Sequence, residues 1–271
     1  MRYKMIALDL DGTLTNSDKV ITPATKAALF QFQENGGRII LASGRPTCGI
    51  TPLAEELELE NYGGYILSYN GAKVVNCENN QLMYNKTMSL ELVEELDALA
   101  KKHKVNIMTY EDKYIYTLDK SEPYVNVEQQ ITKMELKEVD NLAKAVSAPV
   151  NKCLMTGEPE YLMEVEEKIK EEMGGRINVY RSQPFFLELV PKNIDKAESL
   201  DSLLEQLELD RQHLIACGDG YNDLSMIRYA GLGVAMSNGE EGVKEEADYI
   251  APSNDEDGIA DVLEKFVFFA A

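Results

Sequence analysis

Short apolar runs alternate with helical stretches at both ends of the chain, and this alternation limits the possible folds more than any other feature. Residues 5–8, Met-Ile-Ala-Leu, form an apolar run too short for a helix and end at an aspartate. A helix is expected over 22–35, with Thr22 as its cap, Pro23 in its first turn and Gly36-Gly37 as its stop. Strand 38–42, a helical stretch to about 59 and strand 65–68 follow. After Pro191 the alternation returns, with helix 195–207, strand 214–217, helix 222–229, strand 233–235, a short strand at 249–251 and a helix at 257–266. Such an order implies a parallel sheet covered on both faces.

The middle of the chain has another character. Helix 89–102 precedes short strands near 105–109 and 114–118; strand 151–156 and helix 160–172 precede strands near 177–180 and 185–190. This reads as a mixed α/β insert with an antiparallel sheet. The expected class is therefore α/β: a doubly wound, Rossmann-like parallel-sheet core, 1–82 plus 190–271, with an inserted α/β domain at 83–189. A length of 271 residues with 44% hydrophobic content suits that organisation.

Charge and cysteine usage narrow the function. A net charge of −20 repels nucleic-acid phosphates and anionic membranes, so neither is an expected partner. The same field means that an anionic substrate needs local cations or a metal. No run approaches the ~18–20 apolar residues of a membrane helix. The N-terminal sequence carries no secretion pattern, so a soluble, cytoplasmic protein is expected. Four cysteines (Cys48, Cys77, Cys153, Cys217) without paired spacing point to reduced thiols. Two isolated histidines, His103 and His213, argue against a zinc site.

Open parallel sheets gather ligands outside the carboxyl ends of their strands, and three polar groups fall there: Asp9, Ser43 and Asp219. In Asp9-Leu10-Asp11-Gly12-Thr13-Leu14, two carboxylates stand two residues apart and face the same way if the chain stays extended. One can bind a hard cation and attack while the other handles a proton; such oxygens suit Mg²⁺. An ordinary acidic turn is the bland alternative. A calcium loop is excluded, because its Gly and Glu positions hold Leu14 and Val20. Ser43-Gly44-Arg45-Pro46 offers a hydroxyl, flexible amides and a planar guanidinium to a phosphate, although strand-Ser-Gly alone is commonly only a turn. Lys196 stands at a helix start, against the helix dipole, a conflict that a bound phosphate would remove. Gly218-Asp219-Gly220-Tyr221-Asn222-Asp223 adds a second pair of acids, Asp219 and Asp223, and the two clusters can share one Mg²⁺. Cys48 lies near Arg45 without a histidine beside it and reads as a packed or surface thiol.

Taken in order, these four segments, with Ser68-Tyr69-Asn70-Gly71-Ala72, resemble the haloacid dehalogenase-like hydrolases, and within them the Cof-type sugar-phosphate phosphatases. The resemblance spans the whole chain and implies that the insert is a cap that closes over the core and contacts the leaving group. It implies Asp9 as nucleophile and Mg²⁺ ligand, and Asp11 as general acid and base with its backbone carbonyl on the metal. Ser43 and Gly44 would bind phosphate, with Arg45 beside them, and Asn222 would contact it. Lys196 would stabilise nucleophile and phosphoryl charge, Asp219 would bind Mg²⁺, and Asp223 would support the metal shell. A small phosphorylated metabolite is the expected partner. One departure is visible: Ala197 follows Lys196 where the family often has Gly. Arg181, Glu188 and Asn193 are leaving-group candidates by position only. A phosphosugar mutase and a non-catalytic phospho-acceptor module are the alternatives; the insert of ~100 residues and the acid two places after Asp9 weigh against the latter.

Overall fold

A fully buried strand must pair on both edges and be covered on both faces, and the apolar runs obey this. The computed structural model describes residues 2–269. Its first five strands are β1 (Met5–Leu8), β2 (Arg38–Ala42), β3 (Tyr65–Ser68), β4 (Lys73–Asn76) and β5 (Leu82–Asn85). Next come β6 (Asn106–Glu111), β7 (Tyr114–Thr117), β8 (Glu135–Glu138), β9 (Cys153–Thr156), β10 (Ile177–Gln183) and β11 (Phe186–Pro191). The last three are β12 (Leu214–Gly218), β13 (Leu232–Met236) and β14 (Tyr249–Ala251). The chain divides into two compact units, one running through Tyr84 and resuming at Asp195, the other Asn85–Ile194.

The first unit holds an eight-stranded sheet in the order β14-β13-β12-β1-β2-β3-β4-β5. β1 lies at its centre, parallel to β2 on one side and to β12 on the other. Alternate residues divide between two cores, as the period of a strand requires. Ile6, Leu8, Ile39, Leu41, Ile215 and Cys217 pack with Leu29, Phe32 and Ile259 on one face. Met5, Ala7, Ile40, Ala42, Leu214 and Ala216 pack with Leu200, Leu203 and Met226 on the other. The doubly wound α/β expectation is met, with one correction: the sheet is not wholly parallel, because β4 runs antiparallel to β3. β4 and β5 alternate weakly and are mostly half-buried or exposed, so they lack the apolar run that marked the central strands.

The second unit holds a six-stranded sheet, β10-β11-β9-β6-β7-β8, antiparallel except for the β7–β8 pair. Helices Leu90–Lys102 and Pro159–Met173 cover one face, packing on Ile107, Cys153, Met155, Leu187 and Leu189. Helix Pro123–Thr132, β8 and the short helix Leu142–Ala145 were not read from the sequence. β8 is largely exposed, so burial imposes no period on it. By strand alternation, Tyr110, Lys152 and Glu188 lie on the sheet face opposite those two helices. There the Lys152 ammonium meets Glu188 Oε2 at 2.8 Å, Ser182 donates to Glu188 Oε1 at 2.7 Å, and Tyr110 donates to Glu128 at 2.7 Å. Burial works against the Lys152 charge, but Glu188 and Glu128 outweigh it and raise its pKa. Glu188, a leaving-group candidate by position, is thus buried in an ion pair, and Arg181 is paired with Glu166 at 2.7 Å. Among the described residues, no helix is long and apolar enough to cross a membrane.

Breaking one half of a buried pair leaves a charge without a partner and costs about 3–5 kcal/mol, whereas replacing both halves by apolar residues costs far less. Glu188→Ala should therefore lower the denaturant midpoint at which the second unit unfolds, and Lys152→Met with Glu188→Leu should recover most of the loss. A single variant that unfolds at the parental denaturant concentration would contradict this account.

Candidate active site

The three central strands deliver their next residues to one rim. β1 hands over to Asp9, β2 to Ser43 and β12 to Asp219. The register is carried past the strand ends: Asp9 N donates to Cys217 O at 3.0 Å and Ser43 N to Leu67 O at 2.9 Å. Helix Lys196–Gln206 begins at the same rim, capped by Asp195, whose carboxylate accepts from Ala197 N at 2.7 Å and Glu198 N at 3.2 Å. That cap satisfies two of the helix's free amides, and Lys196 turns inward.

Lys196 is 1% exposed, and its ammonium donates three hydrogen bonds: to Asp9 Oδ1 at 2.8 Å, to Ala42 O at 2.9 Å and to Asp223 Oδ1 at 2.5 Å. All three of its hydrogens are used. Asp223 Oδ2 accepts from the Asp219 and Gly220 amides at 3.1 and 3.0 Å, so this side chain fixes the turn that presents Asp219. Thr13 donates to Asp219 Oδ1 at 2.9 Å. Gly12 makes that approach possible: its φ is +90°, and a Cβ there would stand 2.4 Å from Asp219 Oδ2. Asn238 holds the same turn by donating to Gly12 O at 2.8 Å.

Asp9, Asp219 and Asp223 offer carboxylate oxygens that lie within 4.8 Å of one another. One ammonium cannot neutralise three such acids. Burial, and then the neighbouring Asp223 charge, push Asp9 up to about 8 against the pull of Lys196. Burial likewise pushes Asp219 up to about 6, although the Thr13 hydrogen bond opposes it. Lys196 moves upward: burial disfavours its charge, but Asp223 and Asp9 outweigh that cost. A buried set of hard oxygen donors with excess negative charge fits a divalent cation such as Mg²⁺.

The structure brings together Asp9, Lys196, Asp219 and Asp223, and it places the Asp11 carboxylate elsewhere. β1 ends at Leu8 and the chain turns, with Leu14 N donating to Asp9 O and Thr15 N to Leu10 O. The alternation that would aim Asp9 and Asp11 the same way therefore stops before Asp11. Its carboxylate takes a two-pronged contact from Arg45, Nη2 at 2.7 Å and Nε at 3.0 Å, and a third bond from Lys19 at 3.0 Å. Burial raises the Asp11 pKa, but the Arg45 charge and the hydrogen bonds from Lys19 and Arg45 bring it below the usual value. Arg45, expected to face a phosphate, is thus engaged with Asp11. Ser43 Oγ accepts from Arg45 N at 3.2 Å, and Asn222 Nδ2 donates to Asn70 Oδ1 at 3.2 Å. Gly44 lies under the Asn70 amide, 3.1 Å from where its Cβ would be. Burial raises the thiol pKa of Cys48, in keeping with a packed, unreactive residue. Sequence reasoning gave no role to Thr13, Lys19, Asn70 or Asn238; Thr13 and Asn70 lie inside quoted segments, while Lys19 and Asn238 carry no local signal.

Comparisons with known proteins give the family of the chain. The family described as haloacid dehalogenase-like hydrolase matches residues 6–263. The crystal structure of a haloacid dehalogenase-like hydrolase from Bacteroides thetaiotaomicron is 48% identical, covers 97% of this chain and 99% of its own, and superposes with a TM-score of 0.94. The HAD subclass IIB sugar phosphatase BT4131 is 26% identical over 97% of this chain and 98% of its own, with a TM-score of 0.79. The 5-amino-6-(5-phospho-D-ribitylamino)uracil phosphatase YcsE of Bacillus subtilis is 28% identical over 97% of this chain and 96% of its own.

Removing the lysine should leave Asp9 and Asp223 buried without their counter-charge. Lys196→Met is expected to lose about 3–5 kcal/mol of stability in EDTA, measured by denaturant unfolding of the first unit. An unchanged midpoint would show that the ammonium is not what holds the two carboxylates together.

Proposed function

The chain belongs to the haloacid dehalogenase-like hydrolase family, and from that premise we propose that it is a Mg²⁺-dependent phosphatase of small phosphorylated metabolites, sugar phosphates foremost, acting through a phospho-Asp9 intermediate. Phosphoric monoester hydrolysis is the activity shared with its named relatives. The observation that carries the finer reading is the buried Lys196 ammonium held between Asp9 and Asp223, with Asp219 alongside. Phosphoryl transfer demands in-line geometry and neutralised oxygens more than covalent elaboration.

In this reading Asp9 attacks phosphorus, the ester P–O bond breaks, and the leaving oxygen takes a proton from Asp11. Water then attacks phospho-Asp9, gives its proton to Asp11, and inorganic phosphate departs with Asp9 restored. Arg45 and Lys19 stabilise the carboxylate form of Asp11, which is the form that accepts the proton from water. Giving a proton to the leaving oxygen requires Asp11 to part from Arg45, which frees the guanidinium for the substrate. Ser43, Gly44 and Asn222 bind the transferring oxygens, and Lys196 offsets the charge that develops between Asp9 and phosphorus. Asp9, Asp219 and the Asp11 carbonyl would hold Mg²⁺, with Asp223 steadying Asp219; the ion would supply Lewis-acid neutralisation of the phosphoryl group. The Asn85–Ile194 unit acts as the cap that selects the leaving group. Four free cysteines in the chain support a reducing, cytoplasmic location.

A screen of phosphorylated metabolites for phosphate release should find substrates that are turned over with Mg²⁺ and not after EDTA treatment. Asp9→Asn should keep the parental circular-dichroism spectrum and lose at least about three orders of magnitude in kcat; turnover at the parental rate would refute the nucleophile assignment. Gly12→Ala should displace Asp219 and raise the Mg²⁺ concentration for half-maximal rate roughly tenfold or more, and an unchanged Mg²⁺ dependence would remove Asp219 from the ligand set.

A further inference from the structure

Three consecutive residues of one turn adopt the left-handed backbone: φ is 54° at Tyr69, 55° at Asn70 and 100° at Gly71. A tyrosine rarely sits there, and such a turn persists only where its surroundings hold it. Its surroundings are three separate stretches of the candidate site. Tyr69 N donates to Arg45 O and Asn70 N to Ser43 O, both at 3.0 Å, so the turn grips the loop that follows β2. The Asn70 side chain lies over Gly44 and accepts from Asn222 Nδ2 at 3.2 Å. A Cβ on Gly71 would stand 2.5 Å from the carbonyl oxygen of Asp195, the residue that caps the Lys196 helix.

We propose that Asn70 is a positioning residue for phosphate binding: its side-chain amide sets Asn222 and the Ser43-Gly44 loop at a fixed spacing. The proposal rests on the phosphatase reading above. Asn222 is exposed, and an exposed side chain ordinarily samples several rotamers; Asn70 takes one of its amide hydrogens and restricts it. The left-handed backbone is what carries the Asn70 amide to this place, so the turn and the side chain act together.

Asn70→Gly tests the amide alone, because glycine keeps the left-handed backbone and both backbone hydrogen bonds. With an aryl phosphate as substrate, KM and the inhibition constant of inorganic phosphate should rise by the same factor, about tenfold, the equivalent of one hydrogen bond to a charged group. The kcat should change much less. Asn70→Asp keeps an acceptor for Asn222 but sets a negative charge beside the phosphate, and should raise both constants further. In an Asn222→Ala background, Asn70→Gly should cost less than in the parent, since part of its action is already gone. Unaltered KM and phosphate inhibition in Asn70→Gly would overturn the proposal, as would a lower yield of folded protein with parental constants, which marks a purely structural role. A parent protein that neither hydrolyses the ester nor binds phosphate would sink the phosphatase reading, and this inference with it. Parental hydrolysis with an unaffected variant would sink the inference alone.

Discussion

One buried ammonium organises the first unit. Lys196 bonds Asp9 at the end of β1, Ala42 at the end of β2 and, through Asp223, the turn that follows β12. Those partners lie in three stretches, and Asp9 stands 187 positions from Lys196 in sequence, so the contact exists only when both ends of the chain share one sheet. A lysine with no exposed side-chain area is costly to bury. It is tolerated because every hydrogen it carries has an acceptor and two of those acceptors are ionised.

This constraint also explains why a 110-residue unit can interrupt the chain between Tyr84 and Asp195. The Lys196 helix starts immediately after the interruption, and its cap residue packs on Gly71, just before β4. The fixed point is therefore where the chain re-enters, and the inserted unit has its own hydrophobic core and its own buried ion pair to hold it together. The acid cluster itself belongs to the first unit alone, since Asp9, Asp219 and Asp223 all lie outside residues 85–194.

The legible part of the fold was the part that burial forces into a pattern. β1, β2, β3, β12 and β13 have every residue buried, apart from the first residue of β2, and such strands announce themselves as apolar runs. β4, β5 and β8 lie toward sheet edges with one or both faces open, so no run marks them. The same division holds in the site. Asp9 and Asp219 were legible because a strand end fixes where they stand. The partner of Asp11 was not, because it depends on a turn and on two flexible cationic side chains, Arg45 and Lys19. Asn70 stands in the Ser68–Ala72 segment, and the role proposed for it depends on a backbone conformation that residue identity alone does not declare.

The charge of the rim bears on how an anion could ever enter it. Asp9, Asp11, Asp219 and Asp223 are four acids, and Lys196, Arg45 and Lys19 are the three cations that contact them. With every group ionised the rim keeps a negative charge, inside a chain whose net charge is −20. The protein's own cations are thus already committed to its own carboxylates, which is why burial and mutual repulsion push Asp9 and Asp219 upward. A phosphate ester would raise the negative charge again, so admitting one demands added positive charge or the release of Arg45 from Asp11. The proposed divalent cation fits that arithmetic as well as the shape of the cluster, because a bound ion would supply positive charge that the rim does not carry to spare.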